Sequence, residues 1–485
     1  MSRNGNILTH VDWPTILVFL GLVIFGWLNI YAAGYSYDQT SIFDFSNRAG
    51  KQFVWILTAF VMGGALLIID EKVYDILAYL IYGALIVLLL ITPILAHNVK
   101  GSLSWITLGP LSLQPAEFAK VITALAVAKY MGRYEYSIRS WRDLVVPFAL
   151  IAVPALIIMI LQHETGSALV LSAFLLVFYR KGMSGYVLLT CILAVALFIV
   201  VVRFGNTPLP LGDGNVGMFC SWLLLLCILL YFVHKTHRKP SHTLIVVGSI
   251  VLIYIISLVT CIWWPINFNI VTLVMIVALT GYMVYLMVRY HRWNLLFVVL
   301  FVVLSVGYTQ ACDFVFDKVL QPHQRTRIEV LLGMKEDLSG AGYNVNQARI
   351  AIGSGRLFGK GYLQGTQTKL KYVPEQDTDF IFCTVGEEWG FVGAFAVLVV
   401  YLAFILRLIR IAERQRNQFS QIYAYSVASI FLFHLTINVG MVLGLLPVIG
   451  IPLPFFSYGG SSLWGFTILL FILLKLDAAR VNQLH

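Results

Sequence analysis

Three carboxylates at alternate positions, Glu375, Asp377 and Asp379, stand where a polar stretch gives way to the apolar run Phe380-Ile381-Phe382. Partial burial can tune a carboxylate at such a boundary toward neutrality, so that it serves as a general base. The same residue types also cap helices, because an Asp or Thr ahead of a helix accepts from its free N–H groups, and the helix dipole favours an anion there. Residue chemistry leaves both readings open. Glu387 and Glu388 fall further into the apolar run, where ionisable groups are costly and mark functional sites. Glu117 and Lys120, within Gln114-Pro115-Ala116-Glu117-Phe118-Ala119-Lys120, are spaced i,i+3 on one helix face and can neutralise each other at depth. The glycine run 353–361 carries Arg356 and Lys360 as counter-charges for a diphosphate. It lacks the spacing and the preceding strand of a nucleotide-phosphate loop, and a loop built for tight turns uses glycine equally. Pro447, Pro452, Pro454 and Ser457-Tyr458-Gly459-Gly460-Ser461-Ser462 make a rigid, irregular loop, and irregular backbone at membrane depth lines a cavity.

The elements that must position these residues follow from composition. Of 485 residues, 59% are hydrophobic and 12% charged, with a mean hydropathy of +0.85; soluble domains carry about 45–50% apolar and about 25% charged residues. Such a chain cannot cover a water-facing surface, which excludes a soluble enzyme, a disordered chain and a nucleic-acid binder. The net charge of +10, from 33 Lys+Arg against 23 Asp+Glu, fits the Lys/Arg excess of cytoplasmic loops. The six cysteines show no CxxC pair and no Cys/His cluster, and read as small core residues. Runs long enough to cross a bilayer lie near 12–33, 52–70, 75–96, 115–131, 144–161, 165–180, 185–203, 218–233, 243–264, 268–288, 294–312, 380–408, 421–442 and 461–477. The expectation is an all-α polytopic membrane protein of about fourteen transmembrane helices.

Alternate loops are rich in Lys and Arg (Lys129 to Arg142, Arg180/Lys181, Lys235 to Lys239, Arg289/Arg292, Arg407 to Arg416) and the others are nearly bare. The rich loops are cytoplasmic by the positive-inside rule, which places both termini inside and the large segment 313–379 outside. Trp105 and Trp141, near predicted span ends, need be no more than interfacial anchors.

The segments QPAEFAK (114–120), GAGYNVNQARIAIGSGRLFGKGYLQGTQTKLKYVPEQDTDFIFCTVGEEWGFVG (340–393) and GLLPVIGIPLPFFSYGGSS (444–462) resemble the RodA/FtsW family, also called SEDS proteins, and look closer to RodA than to FtsW. Weaker matches surround Asn47-Arg48 and the turn Gln162-His163-Glu164-Thr165-Gly166. The resemblance implies a peptidoglycan glycosyltransferase of the bacterial cytoplasmic membrane. Such an enzyme polymerises lipid II into a nascent glycan strand at the outer face, beside a class B penicillin-binding protein, for elongation and cell shape. It also implies that Asp379 is the catalytic residue, with Glu117, Lys120 and, less closely, Arg48 in support. The family's histidine is Asp377 here, and its second loop glycine is Arg356. The family core of about ten helices implies an insertion of about four. Residues 1–209 and 296–312 then belong to the core, 210–295 to the insert, 313–379 to the large extracytoplasmic loop and 380–485 to the C-terminal core.

In the implied reaction a saccharide hydroxyl displaces a polyprenyl diphosphate from an anomeric carbon. This needs a base and positive charge at the leaving group. Asp379 is the base; Arg48, Lys120, Arg356, Lys360 or a Mg²⁺ or Mn²⁺ ion serves the diphosphate, with Glu387 supporting and no organic cofactor. No metal-ligand set is legible. The rival reading is a lipid II flippase or permease of the same helices, which needs ionisable residues along a path open to both sides.

Overall fold

The computed structural model describes residues 10–35, 41–99, 101–109, 111–133, 136–138, 141–210, 212–237, 240–320, 322–335 and 341–480. Arg139, Arg238 and Lys239, which enter the charge argument, lie outside them. The chain forms two compact units, residues 1–184 with 338–485 and residues 185–337.

The first unit begins with α1 (Trp13–Gly34), α2 (Arg48–Ile68) and α3 (Glu71–Leu95). Asp12 caps α1 through Thr15 N, and Asp70 caps α3 through Lys72 N, each satisfying a first-turn donor. A three-stranded antiparallel sheet follows, β1 (His97–Val99), β2 (Ser102–Leu108) and β3 (Leu111–Leu113), with Ile106 opposite Leu113. The all-α expectation omits it. Its signal is the polar/apolar alternation of Ser102-Leu103-Ser104-Trp105 between Gly101 and Gly109, both at positive φ. Then come α4 (Pro115–Met131), α5 (Trp141–Ile160), α6 (Thr165–Val170) and α7 (Phe174–Arg180). Pro115 and Glu117 suit the first turn of α4, one by its fixed φ and the other by its charge.

The second unit holds α8 (Gly185–Phe204), α9 (Val216–His237), α10 (Pro240–Cys261), α11 (Phe268–Arg289), α12 (Leu295–Phe314) and α13 (Pro322–Leu331). Its own core is built from Leu225, Leu226 and Leu229 of α9, Met283 and Leu286 of α11 and Val302 of α12. Returning to the first unit, the chain forms α14 (Ala341–Ser354), α15 (Thr366–Lys369), α16 (Ile381–Glu388), α17 (Gly390–Glu413), α18 (Gln418–Val442) and α19 (Gly460–Ala479). The spans α18 and α19 are 72% and 83% buried, against 6% for α10, so they form the interior of their unit and α10 lies at the rim of its own.

Among the described residues, twelve helices are long and apolar enough to cross a membrane, against the fourteen expected. The run 115–131 makes a 17-residue helix, and 165–180 is broken by a 3-10 turn at Leu171–Ala173. Segment 313–379 is not an open loop, since it carries a π-helical turn at Val315–Val319 followed by α13, α14 and α15. The compact second unit is wider than the stretch 210–295, because α8 and α12 pack into it; packing does not speak to insertion. Three cysteines expected in the core, Cys191, Cys220 and Cys227, are exposed on helix faces of the second unit.

Candidate active site

α16 starts at Ile381 with Phe380 in the N-cap position and no side-chain cap bond. Neither Asp377, Thr378 nor Asp379 occupies that position, so the helix-cap reading of these residues fails. The turn before α16 instead divides two cavities. Asp379 lines one of about 480 Å³ together with Glu117, Lys120, Trp105, Glu164 and Tyr458. Asp377 lines the other, of about 370 Å³, with Arg48, Tyr31 and Gln376. Glu375 borders both.

Each side chain is placed by the elements around it. The Arg48 guanidinium, at the start of α2, donates to both oxygens of Asp377 at 2.5 and 2.7 Å and lies over the Tyr458 ring at 5.6 Å. Tyr458 N donates to the Asp377 carbonyl at 2.8 Å. Asp379 is held through its backbone, its carbonyl accepting from Asn438 Nδ2 at 2.8 Å. Gly450, at φ +79, stands against its carboxylate, and a Cβ there would lie 3.3 Å from Oδ2. The irregular stretch 443–459 thus lines the site, as its prolines and glycines predict.

Glu117 and Lys120 are both buried and pair at 2.7 Å. The Lys120 ammonium also sits 3.1 Å from His434 Nε2 and 3.9 Å from the centre of the Phe466 ring. Glu164 closes the far wall: its Oε1 accepts from Gln114 Nε2 at 2.6 Å and from Ser167 Oγ at 2.5 Å. Burial pushes its carboxyl above the ordinary range against those hydrogen bonds.

The remaining sequence candidates lie elsewhere. Glu387 accepts from Lys360 Nζ at 2.7 Å, Gln367 N at 2.9 Å, Thr368 N at 2.8 Å and Thr368 Oγ1 at 2.6 Å, and so fastens the segment after the glycine run onto α16. Neither Arg356, Lys360 nor Glu387 lines the Asp379 cavity. The glycine run is a packing device. A Cβ on Gly355 would come within 2.0 Å of Gly386 O, and one on Gly359 within 2.1 Å of Glu388 O. Arg356 adopts φ +52, a left-handed conformation that glycine takes without strain. Trp105, read as an interfacial anchor, lines the cavity; the side chain of Trp141 is outside the description. Sequence reasoning missed Glu164, His434 and Asn438. Only the turn at 162–166 carried a signal for the first.

The arrangement gathers the Asp379 carboxylate, the buried Glu117–Lys120 pair and a polar wall around one cavity. Among the described residues, no three of His, Cys, Asp or Glu converge to hold a metal ion.

Comparison with known proteins agrees with the fold and with the motifs. Residues 12–223 and 219–482 match the FtsW/RodA/SpoVE family, whose members are described as cell cycle proteins. The peptidoglycan glycosyltransferase RodA of Treponema pallidum (strain Nichols) is 31% identical over 479 residues, covering 97% of this chain and 98% of that protein. The peptidoglycan glycosyltransferase MrdB of Escherichia coli (strain K12) is 26% identical over 454 residues, covering 94% and 90%. A chain in a structure on the coordination of polymerization and crosslinking by a peptidoglycan synthase complex superposes with a TM-score of 0.58 at 22% identity, covering 97% and 98%. The rod shape determining protein RodA of Thermus thermophilus gives 0.52 at 20%, covering 97% of each chain. With a family match that runs almost end to end on a fold shared with RodA, this chain belongs to the FtsW/RodA/SpoVE family.

Proposed function

We propose that this chain is a peptidoglycan glycosyltransferase that polymerises lipid II into glycan strands at the outer face of a bacterial cytoplasmic membrane, in the service of elongation and cell shape. The observation that carries the reading is the gathering of Asp379 and the Glu117–Lys120 pair around one cavity. A saccharide hydroxyl gives its proton to Asp379 as its oxygen bonds the anomeric carbon. The carbon–oxygen bond to the polyprenyl diphosphate breaks, and its electron pair leaves with the diphosphate. Lys120 supplies positive charge where that anion develops, and Glu117 keeps the ammonium charged when no substrate is present. Glu164, Gln114 and Trp105 offer hydrogen-bonding groups and an aromatic face to the sugars.

Arg48, expected to serve the diphosphate, belongs in this reading to the neighbouring cavity through Asp377. Arg356, Lys360 and Glu387 act at a distance, by holding the segment that leads into the catalytic turn. Among the described residues no side chains converge into a ready site for Mg²⁺ or Mn²⁺; a cation would enter with the diphosphate, touching one or two carboxylates. Asp12, at the start of α1, accepts from Arg407 and Arg414 of the α17 end, and Arg414 also donates to Asp477 near the end of α19. The start of α1 and the end of α19 therefore lie at one end of their unit, which supports two cytoplasmic termini and an outward-facing Asp379. A class B penicillin-binding protein is the proposed partner. The flippase reading gains no observation of its own, because the ionisable residues Glu117, Lys120, Glu164 and Asp379 gather around one cavity and trace no path toward the Asp12 end of the unit.

The test is direct. Purified protein incubated with lipid II, with and without a class B penicillin-binding protein, should yield glycan polymer resolvable by gel electrophoresis. Failure to polymerise in both conditions would overturn the reading.

A further inference from the structure

We propose that His434 and Asn438, one turn apart on α18, are positioning residues that set Lys120 and Asp379 against each other across the cavity. The inference rests on the glycosyltransferase reading and extends it to residues outside the sequence motifs.

The hydrogen bonds of His434 admit one assignment. Its Nε2 lies 3.1 Å from Lys120 Nζ and its Nδ1 lies 3.1 Å from Pro452 O. An ammonium only donates and a carbonyl only accepts. Nε2 is therefore the acceptor, and the ring is neutral with its proton on Nδ1, donated to Pro452. The ring is 1% exposed, and both of its nitrogens are satisfied this way. Lys120 is then fixed from three sides, by Glu117 Oε2, by His434 Nε2 and by the Phe466 ring. Its remaining approach is toward the cavity that it lines.

Asn438 performs the matching task for Asp379. Its Nδ2 donates to Asp379 O at 2.8 Å and to Ile451 O at 2.7 Å, and the residue is fully buried. The two side chains thus grip successive carbonyls, Ile451 and Pro452, of the segment that presses Gly450 against the Asp379 carboxylate. One turn of α18 holds the base through one residue and the cation through the other, with the 450–452 segment clamped between. A displacement of about 1 Å in such a pair can cost about 10²-fold in rate. A helix 72% buried in its unit is a rigid place to set that distance.

The experiment compares His434→Gln with His434→Phe in the purified full-length chain acting on lipid II. Glutamine carries one acceptor and one donor and can serve both Lys120 and Pro452; phenylalanine keeps the ring and serves neither. Polymerisation by His434→Gln should stay within about threefold of wild type. His434→Phe should lose about 10–10²-fold in kcat, with KM changed less than about threefold and melting temperature nearly unchanged. Wild-type kcat in His434→Phe, or equal losses in both variants, would sink the inference. So would a loss matched by an equal fall in thermal stability. Should His434→Phe not be recovered folded, His434→Leu carries the same forecast. If neither folds while the glutamine variant does, His434 serves stability and the proposal fails. A wild type that makes no polymer overturns the glycosyltransferase reading itself; a polymerising wild type with an unaffected phenylalanine variant overturns only this inference.

Discussion

Asp379 and Asp377 are two residues apart and face different cavities, so the same substitution separates their roles. Asp379→Asn keeps the size and removes the ability to take a proton. Polymer yield should fall about 10²–10⁴-fold, the usual contribution of a positioned base, with the melting temperature unchanged. Asp377→Asn weakens the bidentate contact with Arg48, whose side chain is 51% exposed, and should be the milder change in the same assay. Near-normal polymerisation by Asp379→Asn would remove it from the mechanism. The Glu117–Lys120 pair makes a separate forecast. Removing either charge leaves the other buried and unpaired, at a cost of about 3–5 kcal/mol. Removing both should cost less than the sum of the single changes, and additive losses in thermal unfolding would mean that the pair is not coupled. That pair was legible in the sequence because two residues spaced i,i+3 on a helix share a face. The Lys120–His434 contact was not, since 314 residues separate the partners and a single histidine in an apolar run reads as a satisfied core residue.

At the scale of elements, the glycine run shows what a sequence conceals. Glycines announce close approach or unusual φ, but not what approaches, and here it is the backbone at the end of α16 and the start of α17. Gly359→Ala should destabilise by more than about 2 kcal/mol, since left-handed backbone alone costs an L-residue about 1–2 kcal/mol before the clash with Glu388 O. Gly353, inside α14 with open space at its Cβ position, is the control. Gly353→Ala should be neutral or stabilising by up to about 1 kcal/mol, and a loss of polymerisation in that variant would revive a phosphate-binding role for the run. Asp12 adds a pH dependence at the opposite end of the unit. Burial raises its pKa, but hydrogen bonds from Arg407, Thr15 and Arg414 and the Arg407 charge overcome this and hold it near 2, against 3.8. A depressed carboxyl stabilises above its unfolded pKa and loses that contribution as pH falls through the folded one. About 2 kcal/mol should therefore vanish between about pH 4 and pH 2. Melting curves of wild type and Asp12→Asn over that window should converge; a constant gap would place the effect elsewhere.

At the scale of the whole molecule, the count of apolar runs found each of the twelve long apolar helices among the described residues, because a bilayer demands length and composition that a sequence cannot hide. It overcounted where length is not continuity, as in 165–180, and missed a small sheet between two spans. The two units also separate cleanly by role. Every residue of the candidate site belongs to the unit formed by 1–184 and 338–485, and α8 and α12 touch directly, Tyr308 Oη donating to Ala194 O at 3.1 Å. A chain in which 210–295 is replaced by a short link should therefore keep detectable polymerisation. Complete loss in a variant with a normal gel-filtration profile and helical spectrum would show that these helices shape the site.

The cluster of Asp12, Arg407, Arg414 and Asp477 has a consequence for how the protein is made. Asp12 is synthesised 395 residues before Arg407, an interval of roughly 20–80 s at ribosomal rates of about 5–20 residues per second. During that time the second unit, being one unbroken stretch, can already pack, while the first waits with its opening helix unmatched. The cluster closes only when α19 has been made: Asp477 joins Arg414 and Gln415, and Arg414 in turn holds Asp12. A nascent chain stopped before α19 keeps Arg414 with Asp12 and without Asp477, so the defect of a truncation shows beside the start of α1 as well as at the truncated end.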